Sequence, residues 1–247
     1  MSVYAITRPV AQAHSLTQAL SERDIKVIEC PLIAISAKVS EVKESWLQQN
    51  KWIFVSENAA VNAHIQLSES QWQALSERDV FAIGSATAGS LKQRGIDKVV
   101  YPVQANSESF LQLTELNHVA QQSFTLVCGK GGRDLIENTL RSRSAIVERF
   151  ETYQRDHAVI DEKLLMDAFK QNARWIISSS FALQYLSQLA NNHQRSGQLS
   201  VIVSSERLRL DAAALNMKVL AVASGATTTA IVDCICQLEH HRKYYVD

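Results

Sequence analysis

Trp52-Ile53-Phe54-Val55-Ser56-Glu57-Asn58 decides the fold class: four apolar residues of high strand propensity stop at a serine, and an amphipathic stretch follows at once. A short run that is apolar at every position suits a strand covered by helices on both faces, as in a parallel sheet. The same pattern extends in both directions. Strands are expected at Val3 to Ile6, Lys26 to Cys30, Trp52 to Val55, Val80 to Ile83, Lys98 to Tyr101, Thr125 to Cys128, Ile146 to Phe150, Trp175 to Ser178, Ser200 to Val203 and Val219 to Val222. Between them lie helical periods such as Ala13, Leu16, Leu20 and Ile231, Cys234, Ile235, Leu238. Alternating strands and helices make the chain an α/β protein.

A second copy of the opening pattern, Trp175-Ile176-Ile177-Ser178-Ser179, points to two related halves. Lys98-Val99-Val100 and Lys218-Val219-Leu220 follow their respective copies at nearly the same offset. With 247 residues the chain has room for two domains, each with its own core. Ile33 to Lys38 and Tyr153 to Val159 mix β-branched and polar residues without helical period, which suits linkers.

Composition excludes several classes. Apolar residues at 46% and charged residues at 20% match an ordinary globular chain. Lys plus Arg equals Asp plus Glu at 25 each, so no net field gathers nucleic acid or an acidic membrane, and an anionic ligand needs local donors. No apolar run approaches the roughly 20 residues of a membrane span, and the first residues lack a signal-peptide pattern, so a cytoplasmic protein is expected. Cys30, Cys128, Cys234 and Cys236 form no CxxC pair and read as buried thiols. The seven histidines show no ligand spacing, so no metal site is expected.

Six strand ends carry small or hydroxyl residues just before a helix: Thr7-Arg8-Pro9, Ser56-Glu57-Asn58, Gly84-Ser85-Ala86-Thr87, Gly129-Lys130-Gly131-Gly132-Arg133, Ser178-Ser179-Ser180 and Ser204-Ser205-Glu206. Each one singly reads as a helix N-cap. In a parallel sheet all six lie on one edge, where unpaired helix N–H groups favour anions, and together they suggest a binding rim. No GxGxxG, GxxxxGK[ST] or GxSxG is present, which disfavours a nucleotide-dependent transferase and a nucleophile elbow.

Thr7-Arg8-Pro9, Phe54 to Val61, Ala82 to Ala88 with Leu91 and Gly95, the region from Arg133 to Tyr153, and Ser205-Glu206-Arg207-Leu208 resemble, in that order, the uroporphyrinogen-III synthase family in its bacterial form. The matches span nearly the whole chain. The resemblance implies two similar domains, each a parallel sheet flanked by helices, joined by a two-stranded antiparallel linker. The expected domains are residues 1–34 with 157–247 and residues 37–152, with crossings near 33–38 and 153–159. It also implies a cofactor-independent lyase, a monomer, that closes the linear tetrapyrrole hydroxymethylbilane into uroporphyrinogen III with inversion of ring D and loss of water. The reaction would take place in the cleft between domains, with a transient hand-over from the enzyme that makes the substrate. The alternative is a two-domain binding protein that closes on a small anionic ligand without chemistry.

Residue by residue, the resemblance makes Tyr153 the catalytic candidate, its phenol assisting departure of the hydroxyl; the other reading is a linker aromatic with a solvated hydroxyl. Arg8, Ser56, Asn58, Gly84, Thr87, Gly129, Arg133, Ser179 and Ser204 are the substrate-binding candidates. Thr87 matches a cleft threonine or caps its helix, and Arg8 pairs with a carboxylate or braces the first turn. Where relatives carry Gly-x-Thr-x-Ala in the second half, this chain has Ser204-Ser205-Glu206-Arg207-Leu208, so no threonine carries over there.

Overall fold

Strand parity shows how the sheets are buried. Trp52 and Phe54 pack in one apolar cluster, and Ile53 between them packs in another on the opposite face. Phe124, Leu126 and Cys128 share the Ile53 side, while Val127 joins Trp52. Both faces are covered, which is why these runs are apolar without alternation. Each fully buried Trp or Phe contributes roughly 1.5–3 kcal/mol relative to an exposed one.

A computed structural model describes residues 2–132 and 134–245, with side chains to residue 240. In chain order it contains β1 (Val3–Ile6), α1 (Val10–Ser21), β2 (Lys26–Glu29), β3 (Ile33–Ala37), α2 (Glu44–Leu47), β4 (Lys51–Phe54), α3 (Glu57–Gln66) and α4 (Glu69–Gln73). Next come β5 (Asp79–Ala82), α5 (Ser85–Lys92), β6 (Val99–Val100), α6 (Ser107–Phe110), β7 (Ser123–Gly129), α7 (Leu135–Ser142) and β8 (Ile146–His157). The chain ends with α8 (Glu162–Lys170), β9 (Arg174–Ile177), α9 (Ser180–Asn192), β10 (Ser200–Val203), α10 (Glu206–Ala214), β11 (Lys218–Val222) and α11 (Thr228–Tyr245).

The chain forms two compact units, Met1–Ala34 with Asp156–Asp247, and Ile35–Arg155. The first holds a sheet of order β11-β10-β9-β1-β2, parallel throughout. In the second the order is β3-β8-β7-β4-β5-β6, with β8 to β6 all parallel. Apart from β3, the two orders coincide once the chain is circularly permuted: β9, β10 and β11 step outward as β4, β5 and β6 do, while β1 and β2 take the places of β7 and β8. The sequence repeat therefore falls on equivalent strands, with Trp52 in β4 matching Trp175 in β9. Each sheet has one switch point, between β4 and β7 and between β9 and β1, where strand order reverses and ligands of open α/β sheets bind beyond the carboxyl ends.

Two expectations need correction. The strand expected to stop at Phe150 runs on to His157, because it exchanges bonds with β7 on one side and lies beside β3 on the other. Lys38 N–H donates to the Thr152 carbonyl and Ala158 N–H to the Leu32 carbonyl, so the two crossing segments run antiparallel. Of the thiols, Cys30 and Cys128 are buried, whereas Cys234 and Cys236 are only half-buried, since α11 turns part of that face to solvent.

Burial pushes the Cys30 thiol up to about 12, helped by the Asp161 and Glu162 carboxylates. Burial also raises Cys128 to about 11, with the Arg149 cation opposing it. Well below the ordinary thiol pKa of about 8.5, both thiols are protonated whether the chain is folded or not. Above it the unfolded chain ionises first, so stability falls as pH rises toward the folded values. The expected loss is on the order of 2 kcal/mol per thiol by pH 11. Urea midpoints measured at pH 8 and pH 11 check this, and equal midpoints would refute it.

Candidate active site

At the first turn of α3, Ser56 is the N-cap: its backbone is extended and its hydroxyl oxygen accepts the Ala59 N–H at 3.1 Å. That places Ser56 at the carboxyl end of β4, beside the switch point. On the other side of that point β7 ends at Gly129, where the β7–β8 pairing slips: Cys128 faces Glu151, but Gly129 faces Tyr153. The slip is a β-bulge, and it has a consequence for Tyr153. Phe150 and Tyr153 stand three apart and would point to opposite faces of a regular strand, yet both pack in the same apolar cluster.

Turned this way, the Tyr153 ring lies over Gly129. A Cβ at that glycine would stand 2.5 Å from Cζ of the ring, so no side chain fits there. Lys130 N–H donates to the Tyr153 carbonyl at 2.8 Å and closes the turn. The ring is 1% exposed, and its hydroxyl is shared with Ser56 Oγ at 3.0 Å. Arg155 Nη2 also donates to it, at 3.2 Å. The phenol is thus a held hydrogen-bonding group and not a solvated one. Beneath the following turn, Arg149 bridges Asp134 at 2.8 Å and Glu137 at 2.9 Å, and bonds to these carboxylates hold its charge firmly despite burial. Arg133 lies outside the described residues.

One strand over, Gly84 caps α5 from the end of β5, and Ala105 sits where its Cβ would be. Thr87 is not the cap. It is the third residue of α5 and buried, as Leu208 is in α10. Asn58, half-buried, lies in the first turn of α3, where its carbonyl accepts the Asn62 side-chain amide at 2.8 Å.

In the other unit Arg8 follows β1 and is 7% exposed; its guanidinium donates to the Ala226 carbonyl, and burial lowers its pKa. Arg8 braces the loop that leads into α11. Neighbouring Thr7 donates to the Ile176 carbonyl at 2.7 Å, stitching β1 to β9. Ser179 caps α9 by accepting the Phe181 N–H at 3.2 Å. Ser204 is buried, its N–H on the Ile177 carbonyl at 3.1 Å, while Ser205 is the N-cap of α10.

The structure thus brings Ser56, Gly129 and Tyr153 together at one switch point, and sets Arg8, Ser179 and Ser204 at strand ends of the other sheet. Sequence reasoning missed Arg155. Its signal was the two-residue strand period, which puts it on the face of Tyr153. Among the described residues no three His, Cys, Asp or Glu side chains gather as metal ligands, and no helix is long and apolar enough to cross a membrane.

The family model for uroporphyrinogen-III synthase HemD matches residues 14–233. The uroporphyrinogen-III synthase of Escherichia coli (strain K12) is 29% identical over 240 residues, covering 92% of this chain and 97% of its own. That of Proteus mirabilis is 34% identical over 156 residues, 61% of this chain and 78% of its own. Among solved structures, uroporphyrinogen-III synthetase from Helicobacter pylori 26695 superposes with a TM-score of 0.66 at 13% identity, covering 96% of this chain and 100% of that one. A mutant uroporphyrinogen III synthase from the extremely thermophilic bacterium Thermus thermophilus gives a TM-score of 0.60 at 12% identity, covering 97% of this chain and 99% of that one. These two likenesses concern the fold.

Proposed function

This chain belongs to the uroporphyrinogen-III synthase family and its activity is that of the family, and we propose that it cyclises hydroxymethylbilane with inversion of ring D and loss of water, Tyr153 serving as proton donor to the departing hydroxyl. The observation that carries the role of Tyr153 is its clamped phenol at the switch point, oriented by Ser56 and Arg155.

The substrate's hydroxyl leaves readily, because the pyrrole nitrogen stabilises the cation left behind. Unaided closure then yields the isomer without ring inversion. The enzyme's work is therefore mostly geometric: it holds the chain of rings so that the substituted position attacks. Acetate and propionate groups on every ring call for scattered donors rather than one strong charge. Backbone N–H groups around Gly84 and Gly129 and at the α3 and α9 N-termini supply such donors, with Ser56, Asn58, Thr87, Ser179 and Ser204 beside them. Arg8 and Arg133 complete the proposed set, Arg8 by holding its turn and Arg133 by pairing with a carboxylate.

We further propose that residues 1–34 with 157–247 and residues 37–152 fold as separate domains, and that the enzyme is a cytoplasmic monomer without a cofactor that takes substrate from the preceding enzyme in a transient hand-over. Incubating the protein with freshly made hydroxymethylbilane and oxidising the product tests the activity. Type III porphyrin is expected, and type I alone would reduce the protein to a binding module.

A further inference from the structure

Arg155 follows Tyr153 by two residues on β8, is exposed, and reaches back over the ring. Its guanidinium carbon stands 5.5 Å from the ring centroid, and Nη2 donates to the phenol oxygen at 3.2 Å. A guanidinium only donates, so one lone pair of Tyr153 Oη is taken. Ser56 Oγ already accepts the Ala59 N–H at 3.1 Å, which leaves the serine hydrogen free to point at the phenol oxygen 3.0 Å away. With both lone pairs of Oη engaged, the phenol's own hydrogen is left for a third partner.

We propose that Arg155 is a positioning residue for the reaction: it holds the Tyr153 hydroxyl with its hydrogen turned toward the substrate, and its charge stabilises the phenolate when that proton leaves. This rests on the reading of Tyr153 as proton donor. In the step, the Tyr153 O–H bond breaks and its proton goes to the departing hydroxyl, whose C–O bond breaks with the electron pair on oxygen. Water leaves and a phenolate remains beside Arg155. The substituted α-carbon of the last ring, which carries no hydrogen, bonds to the methylene cation, and its earlier bond to the bridging methylene then breaks. That methylene bonds to the ring's free α-carbon, and the proton this carbon loses returns to the phenolate.

The test is a double-mutant cycle of Arg155→Met and Tyr153→Phe, with Arg155→Lys as the charge-keeping variant and folding checked by circular dichroism. If Arg155 acts through the hydroxyl, Arg155→Met lowers kcat about 3- to 10-fold with KM unchanged. The same change on the Tyr153→Phe background then has no further effect, and Arg155→Lys recovers part of the loss. Independent multiplication of the two losses would overturn the proposal. So would a raised KM with normal kcat, since Arg155 would then be binding substrate carboxylates. A fully active Tyr153→Phe removes the reading of Tyr153 itself, whereas a slow Tyr153→Phe beside a normal Arg155→Met removes only the role of Arg155.

Discussion

Tyr153→Phe is expected to lower turnover by roughly 10- to 100-fold while type III remains the product. The substitution keeps the buried ring on Gly129 and deletes one oxygen, so the loss reports the donor and not the packing. A well-placed general acid contributes about 10² to 10⁴ in rate. Here the effect falls at or below the low end, because the leaving group departs readily and the substrate's own carboxylic groups share the task. The deletion also leaves Ser56 Oγ and Arg155 Nη2 without their shared partner, but Ser56 is only half-buried and Arg155 is exposed, which limits the stability cost to about 1 kcal/mol. Steady-state kinetics with isomer analysis decides the matter. Full activity would make the residue a structural bystander; folded protein releasing mainly type I product would make the phenol the director of ring geometry.

Gly129→Ala is expected to damage both stability and turnover. The added Cβ would lie 2.5 Å from Cζ, 2.7 Å from Cε2 and 3.0 Å from Cε1 of Tyr153. A ring that is 1% exposed has no free direction in which to retreat. Overpacking of this kind costs about 1–3 kcal/mol, and relief comes only by lifting the ring away from Ser56, so kcat falls about as far as in Tyr153→Phe. Gly89→Ala is the control: nothing lies within 4 Å of its added Cβ on α5, and a helix-interior alanine gains roughly 1 kcal/mol. Urea unfolding and kinetics on the two variants give the comparison. A Gly129→Ala protein as stable and active as the parent would show that the ring is not seated as described.

Much of the fold was legible because strand burial writes itself as short apolar runs. Val3–Ile6 and Ser200–Val203 are strands with the bounds expected of them, and β4, β5 and β9 are displaced by one residue. The Trp52 and Trp175 repeats occupy equivalent strands, since each must fill the same place in its sheet. Serine caps were legible for a similar reason: Ser56 and Ser179 each accept an N–H two or three residues ahead, a local bond that needs no tertiary partner. The continuation of β8 to His157 was not legible, because its polar residues 154–157 are held by pairing with distant chain and not by apolar burial of their own.

By itself the sequence determined the α/β class, the parallel sheets and the strand ends at which hydroxyls and glycines gather, since all of these follow from the order of apolar, small and capping residues along the chain. Only the tertiary structure decided which of those ends meet. The bulge opposite Cys128 and Gly129 turns Tyr153 onto the Phe150 face, Gly129 leaves room for its ring, and Ser56 and Arg155 receive its hydroxyl. A single extra residue in β8 reverses the facing of everything beyond it, and it is set by pairing with a strand on the far side of α7 rather than by any neighbour in sequence.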